Sequence, residues 1–160
     1  MCIRDRFNAL HGKDGEDGVA QSYFEYLKIP YTHSGVISSY NAMNKIISKE
    51  IFIKNKILTP KYFVIKKKDF NNTRLKKILK NKKIKFPVVV KPVNEGSSLG
   101  VKVCQNIKYL IQATKNLFRK YDQLIFEKHI GGQEIQVAII NDNSLGAIEL
   151  IPQRSFYDYK

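Results

Sequence analysis

The stretch that most constrains this chain is Phe86-Pro87-Val88-Val89-Val90-Lys91-Pro92, followed after Val93 by Asn94-Glu95-Gly96-Ser97-Ser98-Leu99-Gly100. Three consecutive valines have the stiff, β-branched character of a buried strand, and the prolines on either side keep a helix from running through. The loop beyond is too polar and too rich in glycine to be anything but a connection. Val101 to Cys104 returns as a strand. Around this pair the chain alternates short β-branched or aromatic runs with helical stretches, the pattern of an α/β (α+β) protein.

Phe7 to Leu10 reads as the end of a buried strand, running into the loop His11-Gly12-Lys13-Asp14-Gly15-Glu16-Asp17-Gly18. Val19 to Lys28 reads as a helix with Tyr23, Phe24 and Leu27 on one side, closed by Ile29-Pro30. Val36 to Lys56 is mostly helical, and Thr59-Pro60 introduces a short strand at Tyr62 to Ile65. Asn71 or Asn72 caps a helix carrying Leu75, Ile78 and Leu79, and Asn106 caps another over Ile107 to Lys120. Gln123 to Glu127, Ile135 to Ile140 and Ala147 to Ile151 are three further strands, with a turn at Asn141 to Ser144.

Composition excludes several classes. The 160 residues carry no apolar run of about 18 or more, so no transmembrane helix is expected. Met1 to Arg6 lacks the apolar core of a secretory signal, and Cys2 and Cys104 cannot build a disulfide framework. A cytoplasmic location is the expectation. The formal net charge of +14 invites a nucleic-acid reading. Much of it lies in Lys66 to Lys85, which holds ten basic residues against the single acid Asp69. A single aromatic, Phe70, stands among these lysines and Arg74 is the only arginine, so a solvated surface accounts for them better than a nucleic-acid face.

Three loops are candidates for chemistry. In Glu95 to Gly100, successive N–H groups and two hydroxyls can face phosphate oxygens, with Lys91 as a point charge at the strand end. It is not a Walker A loop, because no Gly-Lys-Ser/Thr closes it, and a plain hairpin tip is the alternative. Glu127-Lys128-His129-Ile130-Gly131-Gly132-Gln133-Glu134 can present a backbone edge to a purine and a carboxylate to ribose, or be a solvated strand end. His11 begins the third loop, where it can touch an anion or serve structure alone.

Together these segments resemble the D-alanine–D-alanine ligases of the ATP-grasp superfamily. The motifs occur in family order: Ala9-Leu10-His11-Gly12 with Gly15-Glu16-Asp17-Gly18, Ile29-Pro30-Tyr31-Thr32 with Ser34-Gly35-Val36, Ala42-Met43-Asn44-Lys45 with Lys49, and Thr59-Pro60. Phe86-Pro87, Val90-Lys91-Pro92, Glu95-Gly96-Ser97-Ser98, Gly100-Val101, Glu127, Gly132, Glu134 and Phe156-Tyr157-Asp158-Tyr159 follow. The resemblance implies a partial ATP-grasp fold preceded by the end of a Rossmann-like domain. Its expected divisions are residues 1–33, a central subdomain over 34–127, and the start of a C-terminal subdomain over 128–160.

The resemblance also implies roles. Lys45 and Lys91 contact ATP phosphates, under a lid that includes Glu95, Gly96, Ser97 and Ser98. Glu127, Lys128 and the backbone near Ile130 hold adenine, Glu134 binds ribose and Phe156 packs on adenine. Ser97, Tyr157 and His11 lie toward the D-alanine substrates. The implied reaction joins two D-alanines through an acyl phosphate, for peptidoglycan precursors. Its magnesium or manganese ligands would lie beyond Lys160, and homodimerisation of the full-length protein stays open. Neither a nucleic-acid nor a membrane partner is expected. Departures from the family are Asn44 for Asp, His33 for Gly, His129 for a bulkier aromatic and Lys160 for Glu. Both ends read as cuts, so the 160 residues alone are expected to be inactive. Another ATP-grasp carboxylate–amine ligase and a basic nucleic-acid-binding module are the alternatives.

Overall fold

A computed structural model describes residues 6–151. They form two compact units that divide after His129. The first begins with α1 (Val19–Tyr26), α2 (Val36–Met43) and α3 (Lys45–Lys54). A βαββαβ run follows: β1 (Tyr62–Lys66), α4 (Asn72–Asn81), β2 (Val88–Pro92), β3 (Lys102–Cys104), α5 (Ile107–Leu117) and β4 (Gln123–Lys128). Its sheet has the order β1-β4-β2-β3 with every pairing antiparallel.

Period-two alternation decides what each face carries. Phe63, Ile65, Val88, Val90, Leu124 and Phe126 point to one side, where Leu75 and Leu79 of α4 and Leu110 and Leu117 of α5 cover them. Phe63 and Phe126 stack with ring centroids 4.9 Å apart. Both covering helices start where the sequence places them. Asn71 Oδ1 accepts from Arg74 N at 2.7 Å, and Asn106 Oδ1 accepts from Tyr109 N at 3.1 Å. The first of these settles the choice between Asn71 and Asn72.

One expectation needs correction. Phe7 to Leu10 is not the end of a buried strand: Phe7 is 84% exposed, and only Arg6 bridges Tyr31. Side-chain oxygens take the backbone donors instead, with Asn8 N bound to Thr32 Oγ1 and Leu10 N to Asn8 Oδ1, both at 3.0 Å. The second is a local bond of the kind that competes with a strand ladder, and the first reaches Asn8 from a segment 24 residues on. The stretch from Val36 is mostly helical, as expected, and divides into two helices at Asn44, whose ψ of 104° is extended. Asn44 Oδ1 accepts from Ile46 N and Ile47 N, so the break is itself the cap of α3.

The second unit is a hairpin of β5 (Glu134–Ile140) and β6 (Asn143–Leu150). Its turn is tighter than expected because Asn141 and Asp142 both take positive φ, the geometry of a two-residue hairpin loop. Among the described residues no helix is long and apolar enough to cross a membrane.

Leu110 is fully buried beneath the sheet. Leu110→Ala should therefore cost about 2–5 kcal/mol in chemical denaturation. A loss below about 1 kcal/mol would mean that α5 does not cover the core as described.

Candidate functional site

The sheet face opposite α4 and α5 is not apolar throughout. On β4, Ile125 and Glu127 point there, and Glu127 pairs in register with Tyr62 of β1 and Val89 of β2. Lys91 lies two residues beyond Val89, hence on the same face and diagonal to Glu127. Its Nζ forms a short ion pair with Glu127 Oε1. From above, α3 sends Lys49, whose Nζ sits 3.0 Å from Glu127 Oε2. Lys49 also donates to Thr59 Oγ1 at 2.7 Å and Pro60 O at 3.3 Å, with its ammonium 5.0 Å from the Tyr62 ring centre.

Glu127 is thus a buried carboxylate, 6% exposed, between two ammonium groups. Burial acts to raise its pKa, but the charges of Lys91 and Lys49 outweigh it and leave the group below its ordinary value. Because the folded-state pKa is depressed, this group adds stability above the ordinary carboxylate range. That contribution is lost as pH falls through the folded value.

Lys45 is placed by the break at Asn44. As the first residue of α3, its backbone N donates to Val93 O at 3.1 Å, tying the helix start to the end of β2. Its Nζ donates to Glu95 O in a short bond and lies 3.4 Å from Val93 O. Burial and the neighbouring Lys91 charge lower its pKa to about 8. Asn44 caps the helix without placing a negative charge beside this lysine.

The glycine loop joins β2 to β3 as the tip of an antiparallel hairpin. Its tip is strained, because Ser97 and Ser98 both take positive φ, at 46° and 57°. Its base is tight. Gly100 has φ of +74°, and a Cβ there would meet Pro92 Cγ at 2.8 Å. The His11 to Gly18 loop lies alongside: a Cβ on Gly96 would stand 3.6 Å from Glu16 Oε2 and 3.7 Å from Gly12 Cα. Glu16 Oε2 accepts from Gly12 N, its Oε1 lies 3.8 Å from His11 Nδ1, and buried Gln21 donates to Gly15 O at 2.9 Å.

Of the expected site residues, Lys45, Lys91, Glu95, Gly96 and Glu127 gather on this face, and the His11 loop flanks Gly96. Ser97 is exposed, Ser98 half-buried and Lys128 exposed at the end of β4. Ile130 and Glu134 belong to the second unit and are exposed. Phe156 and Tyr157 lie outside the described residues. Lys49 had no role assigned from sequence, although its spacing of four from Lys45 puts both on one helix face. No cluster of three or more His, Cys, Asp or Glu occurs among the described residues. With Glu127 committed to two lysines, these residues suit an anion and do not fit a metal ion.

A family model described as the D-ala D-ala ligase C-terminus matches residues 51–160. The chain belongs to the D-alanine–D-alanine ligase family. It is 57% identical to the D-alanine–D-alanine ligase of Pelagibacter ubique over 96% of this chain and 49% of that protein. The Wolbachia pipientis wMel ligase is 43% identical, over 96% of this chain and 47% of the relative. Two crystal structures of the Bacillus anthracis ligase superpose with TM-scores of 0.79. One, 36% identical, covers 99% of this chain and 50% of its own; the other, complexed with ATP, is 35% identical and covers 96% and 50%. The fold is that of the ATP-grasp ligases, and the chain spans about half the length of the relatives it matches.

Lysine NMR with 13Cε labels should show one ammonium titrating near pH 8, absent in Lys45→Met. Lys91→Met should move that midpoint upward, since it removes a repelling charge. An unmoved midpoint would refute the coupling.

Proposed function

We propose that this chain supplies the phosphate-binding part of an enzyme that uses ATP to join two D-alanines. The observation that carries the reading is the convergence of Lys45, Lys49 and Lys91 around one buried carboxylate, beside a glycine loop. Such an array suits a polyanion approaching from the loop side. Lys45 and Lys91 take phosphate oxygens, while N–H groups of Glu95, Gly96, Ser97 and Ser98 close over them. Phosphoryl transfer depends mostly on position and charge stabilisation, which fixed ammonium groups and loop dipoles provide.

In this reading Glu127, Lys128 and the backbone at Ile130 receive adenine, Glu134 the ribose and Phe156 the other face of the base. His11 and Ser97 lie toward the D-alanines, and Tyr157 belongs to a second cover. One D-alanine carboxylate accepts the terminal phosphoryl group, and the amine of the second D-alanine then displaces phosphate to form the peptide bond. Closing loops would keep water from the acyl phosphate. Residues 1–33 would end a Rossmann-like domain, 34–127 form the central subdomain and 128–160 open the C-terminal one. Magnesium would be held by residues outside this chain. The setting proposed is cytoplasmic synthesis of peptidoglycan precursors.

The complete gene product, given ATP and D-alanine, should release ADP and D-alanyl-D-alanine. A different condensation product would keep the nucleotide role and change the acceptor, while absence of ATP binding would sink the proposal. Lys91→Ala should weaken ATP binding about tenfold or more, as expected for loss of a charge-assisted phosphate contact. ATP affinity should also fall as pH rises through about 8, because Lys45 then loses its proton. Lys45→Arg should flatten that fall, since arginine stays charged.

A further inference from the structure

Glu127 has two counter-ions, and they are not equivalent. Lys49 is enclosed: its side chain is 8% exposed, and its ammonium also donates to Thr59 Oγ1 and Pro60 O. Lys91 is more open, at 20%, and among the described residues its only ion pair is with Glu127. Lys91 also lies close enough to Lys45 for their charges to repel. Moving Lys91 toward Lys45 is therefore unfavourable until an anion stands between them.

We infer that Lys49 is a positioning residue, a fixed counter-ion that keeps the buried Glu127 carboxylate compensated when Lys91 is handed over to an incoming polyphosphate. The inference rests on the nucleotide-binding reading above. Without Lys49, departure of Lys91 would strand a buried carboxylate with no cation in contact with it, since the Lys45 ammonium is held by Glu95 O and Val93 O, so Lys91 would stay on Glu127 and be unavailable to the ligand. With Lys49 in place the exchange leaves every charge opposed. Thr59 and Pro60 matter because they hold the Lys49 ammonium from a segment that does not take part in the exchange.

Inorganic tripolyphosphate is the appropriate probe, since it engages the lysines and not the purine contacts. Calorimetric titration of the complete gene product at pH 7 should show Lys49→Met binding tripolyphosphate about tenfold more weakly than the parent, a typical coupling between linked sites. Lys49→Arg should retain most of the affinity. Glu127→Gln should bind more tightly than the parent, because Lys91 is already free. The double variant Lys49→Met with Glu127→Gln should recover at least parental affinity, which a merely structural role for Lys49 would not produce. Parental affinity in Lys49→Met, or no recovery in the double variant, overturns the inference. If Lys49→Met does not fold, Glu127→Gln decides alone: tighter binding supports the exchange, and equal or weaker binding overturns it. A parent that binds neither ATP nor tripolyphosphate would defeat the nucleotide reading as well. A parent that binds both, with variants that do not differ, defeats only the exchange.

Discussion

The carboxylate of Glu127, buried at the centre of a sheet and held by lysines from two elements, is the interaction around which this chain is arranged. A charge in such a place is unfavourable unless it is paired, and removing one partner of a buried pair costs about 3–5 kcal/mol. The pairing therefore fixes more than electrostatics. Lys91 comes from β2, beside the strand that carries Glu127, and Lys49 comes from α3. One charged contact thus ties the helical N-terminal part to the open face of the sheet, while hydrophobic packing secures the other face. The lower face is secured by apolar burial alone, while the upper one adds opposed charges to buried Ile125 and Val89.

The interruption at Asn44 makes the upper arrangement feasible. A single helix from Val36 onward would have no free N-terminus at Lys45. The break frees the backbone N of Lys45 to reach Val93 O, and the Asn44 side chain satisfies the next donors. From that start, one helical turn carries Lys49 to Glu127. Local capping chemistry thereby sets the positions of two lysines on a surface they do not share in sequence.

Much of the lower face was legible in the sequence, since its rules are local. The proline-bracketed valines, the caps at Asn71 and Asn106 and the apolar sides of α4 and α5 read directly from spacing. The Phe7 to Leu10 segment failed because an apolar run looks like a strand, but Asn8 locally and Thr32 from 24 residues away divert its donors. Lys91 was legible as a charge at a strand end beside a glycine loop, whereas Lys45 and Glu127 were legible only as members of a familiar motif order. Their meeting depends on antiparallel register and on a helix crossing from elsewhere. Lys49 marks the limit, because a lysine on a short helix normally reads as solvent-facing. Only the partner it finds across the fold makes it a buried one.

The hairpin that carries the glycine loop divides its residues by how freely they can vary. At its base a Cβ on Gly100 would meet Pro92 Cγ at 2.8 Å and a Leu117 methyl at 3.4 Å, so any side chain there would push against the core. At its tip Ser97 and Leu99 are exposed, and their neighbours make turns with backbone atoms alone. Substitutions at the tip can therefore change the loop while its base stays where it is. A hairpin of this kind can be altered at one end without rebuilding the sheet beneath.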